Sequence, residues 1–195
     1  DVPAGPRAAA GHPFRAEGRP QRGCRCGGRR GCLRRLDRIQ LDEARGAYQA
    51  VLSGSAGRPT AREISTAQTG LGYVYLTSGL YGQTADFESA RSELQSVIER
   101  YEAGEVDSAK NAGLAYSYLG LLARQQGDLP AAVAHYERAV DLVAPVSRAL
   151  YLFRLGELAC QQGNHDVAVE LHQRAIDDAR LYGRAAEVDE YTRRL

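Results

Sequence analysis

The sequence predicts an all-α fold, a solenoid of antiparallel helix hairpins, and three observations predict it. The first is self-similarity at a shift of 36 residues: Leu122-Ala123-Arg124-Gln125-Gln126-Gly127 returns as Leu158-Ala159-Cys160-Gln161-Gln162-Gly163, Arg138-Ala139 as Arg174-Ala175, and Asp141 as Asp177. A period of roughly 20 to 50 residues marks units that bury their apolar faces only by stacking on each other. The second is periodicity. Tyr116, Leu119, Gly120 and Ala123, then Ala132, Tyr136 and Ala139, are spaced by threes and fours, and so are Leu152, Leu155, Gly156 and Ala159, then Ala168, His172 and Ala175. Such spacing puts the named residues on one face of each of two helices. The third is punctuation: Gly127-Asp128 and Gly163-Asn164 fall between the two halves of each unit, as turns do.

Residues 1–32 come first and stand apart. They are dense in Arg, Gly, Pro and Ala and almost free of aliphatic residues. A segment of that composition cannot offset its ordering entropy by burial, and disorder is expected. Cys24, Cys26 and Cys32 lie in it with His12, but structural zinc sites bring two tight ligand pairs and this segment has one. An Arg-rich nucleic-acid arm is a second reading. A plain tail, or sequence not natively translated, is the preferred one.

The array itself is expected over residues 33–183. Ala44-x3-Tyr48-x2-Val51 reads as the second helix of a first unit, whose partner near Leu33–Ile39 has an eroded pattern. Ser53–Gly57 is a loop, and Thr60-x-x-Glu63 is a capping box that opens the next helix. Leu71-Gly72-x2-Tyr75-x3-Gly79 matches the first half of a unit, and Ala90-x3-Leu94-x2-Val97 the second. The stretch from Gly79 to Ala90 is six residues longer than that from Gly127 to Ala132, which predicts an enlarged turn around Leu80–Asp86. Pro130 sits in the first turn of its helix, where a missing N–H costs nothing. Gly183 closes a helix ending near Tyr182. Residues 184–195 then form one more helix, with Val188, Tyr191 and Leu195 on a face, which caps the stack or begins a further unit.

Gly120 and Gly156 lie in mid-helix, where each costs about 1 kcal/mol relative to Ala. Recurrence at the same place implies a return: close approach of the second helix, through its Ala residues, with Leu119, Tyr136 and Leu155 filling the space around.

These residues resemble the tetratricopeptide repeat family, two units fully and two in part, over about residues 33–183. The departures are the 36-residue shift, the 48-residue step from Gly72 to Gly120, and an early aromatic kept only as Tyr116. Longer repeats of this kind resemble those of bacterial regulators and motor light chains. The resemblance implies a right-handed superhelix whose first helices line a concave groove. Mapped onto this chain, the groove-facing candidates are Thr69, Tyr73 and Leu76, then Ser117, Leu121 and Arg124, then Phe153, Glu157 and Cys160. Tyr73 and Phe153 are the anchor-like ones, aromatics being common binding hot spots, or they pack between units. Some members clamp a carboxylate with Lys and Asn; Thr69, Ser117, Phe153, Tyr73, Leu121 and Glu157 stand at those positions here, so that clamp is absent.

Charge and chemistry narrow the function classes. Residues 1–38 carry ten Arg against three acidic residues, whereas the remainder carries fifteen basic and twenty-one acidic residues. The body is therefore mildly acidic and is not expected to bind nucleic acid. No run is long and apolar enough to span a membrane and no secretory signal is visible. The start at Asp1 and the absence of Met suggest a fragment or processed product. Cys160 alone in the body fits a reducing cytoplasm. Gly27-Gly28-Arg29-Arg30-Gly31 lacks the strand, helix and Lys of a phosphate loop. His165 and His172 are too far apart along a helix to share a metal, and His172 is expected to pack in the core. Cys160 is expected to be a buried helical thiol. No enzyme, cofactor or metal is expected. The leading function is a module that binds a peptide or partner protein in its groove; the alternative is the sensor or oligomerisation part of a larger bacterial regulator.

Overall fold

A computed structural model describes residues 28–55, 57–83 and 86–194, with side chains described from Ile39 onward. Cys24, Cys26 and His12, the segment 1–27 and the Cys32 side chain lie outside the described residues. The chain divides into two compact units, Asp1–Leu36 and Asp37–Leu195, and the helical hairpins all belong to the second.

The described residues form helices and no strand. The order is α1 (Gly28–Leu52), α2 (Ala61–Leu80), α3 (Asp86–Glu102), α4 (Ala109–Gln125), α5 (Leu129–Leu142), α6 (Pro145–Gln161), α7 (His165–Leu181) and α8 (Ala185–Arg194). Helices α2/α3, α4/α5 and α6/α7 are the three hairpins, and the last two are related by the 36-residue repeat. The expected pair at the N-terminal end is instead the single helix α1. Nothing between Leu33 and Val51 breaks it: no Pro occurs, and Gly46 stands with nothing within 4 Å of where its β-carbon would be.

Turn chemistry sets the hairpin ends. Gly127 and Gly163 adopt φ of +79° and +80°, which a residue with a β-carbon resists. The next residue's N–H then reaches back to the helix: Asp128 donates to the Ala123 carbonyl and Asn164 to that of Ala159, each at 2.9 Å. This is the Schellman closure, and it satisfies carbonyls the helix end would leave bare. Asp128 also caps α5, its side chain accepting from the Ala131 N–H at 3.0 Å. Thr60 and Glu63 form the expected capping box, with both reciprocal bonds present.

The six additional residues of the α2/α3 hairpin do not all enlarge its turn. The turn glycine is Gly82, not Gly79, and it lies ten residues after Gly72, whereas Gly127 and Gly163 lie seven after Gly120 and Gly156. Three of the six therefore extend α2 by nearly one turn. Gly79 becomes a close-approach site, because the Phe87 ring lies where its β-carbon would be.

Packing runs through two apolar clusters that meet at α6. One joins Leu76, Leu94, Val97, Leu119, Leu122, Tyr136, Tyr151 and Leu158; the other joins Ala149, Leu152, Phe153, Ala175, Ile176, Ala179 and Tyr191. Within each hairpin, the mid-helix glycine faces a large side chain of the second helix. A β-carbon on Gly72 would lie 2.6 Å from Leu94, and one on Gly120 would lie 3.2 Å from Tyr136. On Gly156 it would collide with the His172 ring. The close approach is thus made by a ring or a Leu lying over the glycine, not by the Ala residues. Those residues, Ala90, Ala132, Ala139, Ala168 and Ala175, are buried beside the crossing.

Candidate functional site

The side of the array formed by the first helices, α2, α4 and α6, carries the candidate groove positions. The structure divides the nine into two groups. Thr69, Leu76, Ser117 and Phe153 are buried and do not face a partner. Thr69 turns its hydroxyl inward to the Ser65 carbonyl at 2.8 Å, and Ser117 does the same to Leu114 at 2.8 Å. Leu76 is fully enclosed in the first cluster. Phe153 is covered by α8: its ring stacks on Tyr191 at 4.4 Å and on His172 at 4.7 Å. Its role is packing between units.

The remaining five reach solvent to differing degrees. Tyr73 is 40% exposed and its ring meets that of Tyr118 at 5.1 Å. Leu121, Arg124 and Glu157 are half-buried, and Cys160 is exposed. The expectation of a buried thiol therefore fails: Leu158 and Ala159 take the enclosed sides of that turn and leave Cys160 outward, 3.8 Å from His165 Nδ1. Among the described residues no group of His, Cys, Asp and Glu is arranged to hold a metal ion.

Sequence reasoning missed two residues on this side, and both follow a residue it chose. Tyr118 follows Ser117, and Arg154 follows Phe153. A helix advances about 100° per residue, so each lies one position round from a buried candidate and one turn before a candidate that reaches solvent, Leu121 and Glu157 respectively. Tyr118 is largely enclosed by neighbouring rings. Burial pushes its phenol far above the ordinary range, with Tyr151, Tyr73 and Tyr48 adding to the effect. A Tyr and an Arg standing two residues before Gly120 and Gly156 were the available signal.

Glu157 is the electrostatic centre of the other end. Its Oε2 accepts from Arg124 at 2.9 Å and from Arg154 at 2.8 Å, and its Oε1 accepts from Arg194 at 2.9 Å. One carboxylate thus links α4, α6 and α8. Burial alone would raise its pKa; hydrogen bonds and charge from Arg154 and Arg124 outweigh that and hold it below the usual carboxylate value. Arg194 also lies over the Phe153 ring, 5.6 Å from its centroid. This contribution of α8 had no signal in the sequence, since it depends on where the last helix docks.

Among the described residues no helix is long and apolar enough to cross a membrane. No curated protein matches the sequence. Solved structures share the fold, two of them as follows. The structure of BtubC (BKLC) from P. vanneervenii superposes with a TM-score of 0.59 at 19% identity, covering 74% of this chain and 58% of that one. That of MamA gives 0.51 at 21% identity, covering 81% and 88%. This chain therefore spans a little over half the length of BtubC. The family model described as tetratricopeptide repeat matches twice, over residues 80–145 and 119–189, which together take in more than half of the chain. The first match runs from the last residue of α2 to the first of α6 and the second from within α4 to within α8, so both lie inside the helical array, and the chain belongs to the tetratricopeptide repeat family.

Proposed function

We propose that this chain is a protein-interaction module that holds a peptide or a partner's extended segment along the first-helix side of α2, α4 and α6. The observation that carries the reading is Tyr73, a large aromatic left 40% exposed in mid-helix beside Tyr118 on the first-helix side, whereas the other strongly exposed tyrosines, Tyr81 and Tyr182, stand at the C-terminal ends of α2 and α7. Aromatic side chains lose little entropy on binding and supply much of the energy at protein interfaces. Leu121, Arg124 and Glu157 continue the surface, and Cys160 lies at its far end. Thr69, Leu76, Ser117 and Phe153 support it from below.

The test is selection of peptides from a displayed library on the wild-type protein, followed by calorimetric titration of a selected peptide. Tyr73→Ala should weaken its binding at least about fivefold. Arg180→Ala, on an exposed outer position, should leave it unchanged. Equal binding to wild type and Tyr73→Ala would remove the aromatic surface around Tyr73 from consideration.

A further inference from the structure

Three guanidinium groups converge on Glu157, more than one carboxylate needs. The other acidic group in contact is Glu190, 3.3 Å from Arg194 and half exposed, where screening weakens it. The second and third arginines therefore add mutual repulsion that the fold holds in place. Each guanidinium carries five N–H donors. Arg124 and Arg154 each use one Nη1 bond to Glu157, and Arg194 divides its two Nη atoms between Glu157 and Glu190. No nitrogen of Arg124 or Arg154 is buried without a partner, and Arg194 is an exposed residue. Their side chains are 23%, 38% and 51% exposed, in the order Arg124, Arg154, Arg194.

We infer that Arg124, Arg154 and Arg194 form a binding site for side-chain carboxylates of an acidic peptide, and that Glu157 is its internal occupant, competing for the same donors. The planar fork of arginine matches a carboxylate with two parallel bonds. Phe153, itself fixed between His172 and Tyr191, supports the Arg194 guanidinium from beneath. The excess of positive charge is local and small. Beyond residue 38 the chain carries twenty-one acidic against fifteen basic residues, a balance that opposes a long polyanion such as nucleic acid. The inference rests on the first-helix side being the binding side.

The experiment titrates the full chain into a fluorescein-labelled hexaglutamate peptide at low salt, read by fluorescence anisotropy. Glu157→Gln keeps the side-chain shape and removes the competing charge; it should tighten binding about three- to tenfold. Adding Arg154→Ala to that variant should cancel the gain. Arg194→Ala alone, at an exposed position on the last helix, should weaken binding below wild type, and it decides the matter if Glu157→Gln does not fold. Arg180→Ala should have no effect. Unchanged or weaker binding by a folded Glu157→Gln, no loss with Arg194→Ala, or equal tightening towards a labelled oligothymidylate would overturn the inference. Tyr73→Ala separates the two readings. Hexaglutamate binding that survives while library peptides no longer depend on Tyr73 overturns the aromatic surface alone. Tyr73-dependent peptides with no response of hexaglutamate to Glu157→Gln overturn the arginine site alone.

Discussion

The imidazole of His172 occupies the space that a β-carbon on Gly156 would need, and it stacks on Phe153 from the same side of the hairpin. Tyr136 stands over Gly120 in the equivalent way, at 3.2 Å from the would-be β-carbon. The two contacts rank the expected cost of filling each glycine.

Gly156→Ala should lose about 1–3 kcal/mol, because overpacking outweighs the helix-propensity gain of about 1 kcal/mol. Gly120→Ala should lose less, and Gly156→Leu should prevent folding of the hairpin. Gly46→Ala, with nothing within 4 Å, should gain up to about 1 kcal/mol. Thermal melts of the three alanine variants check the order; a Gly156→Ala protein melting with Gly46→Ala would contradict it.

His172 makes stability depend on pH. Burial holds its imidazole below the ordinary value of 6.5, against the opposing effects of the nearby Phe153 backbone and the charge of Glu157. The folded state thus takes up this proton later than the unfolded state does. Its contribution is complete above the unfolded value, about 6.5, and is lost as pH falls through the lower folded value. His172→Phe preserves the ring and deletes the titration. The drop in melting temperature between about pH 7 and pH 5 should shrink in that variant. His135, also held low by burial, leaves a residual slope.

Arg148 and Arg180 should differ sharply despite their similar charge. Arg148 makes two bonds to Asp178, at 2.7 and 3.0 Å, and Asp178 is mostly enclosed. Arg148→Ala should cost about 1 kcal/mol, a figure reduced for the partial exposure of the guanidinium. Arg180 meets Asp177 only at 3.5 Å, with both groups exposed. Arg180→Ala should be neutral in chemical denaturation, and equal losses in the two variants would contradict the assignment.

Thr60→Ala removes one half of the capping box of α2. A loss of about 1 kcal/mol is expected, since the Glu63 N–H loses its side-chain acceptor. Thr60→Ser should restore most of it. Denaturant midpoints of the two variants and the wild type provide the comparison.

Phe153→Ala should destabilise the array by about 3–5 kcal/mol rather than act on binding alone. Phe153 is 2% exposed and holds α8 through Tyr191. Loss of helical signal at moderate temperature is the expected result; a stable Phe153→Ala protein would return this residue to the surface.

The three hairpins, their turns at Gly127 and Gly163, the Thr60 cap and the final helix after Gly183 were determined by the sequence alone. Each depends on residues close in the chain: a period of three and four, a glycine free to adopt positive φ, a hydroxyl three residues from a carboxylate. The tertiary structure decided which side of each first helix stays open. Thr69, Leu76, Ser117 and Phe153 are enclosed while Tyr73, Leu121, Arg124, Glu157 and Cys160 reach solvent, because neighbouring helices cover part of the expected face, as α8 covers Phe153, and local periodicity does not say which part. It also decided that α2 gains a turn, since Gly79 can lie beneath Phe87 only when the two helices are already packed. Most of the Glu157 cluster belongs to this second group: Arg154 is its i,i+3 neighbour in α6, but only docking of α4 and α8 brings Arg124 and Arg194 to the same carboxylate.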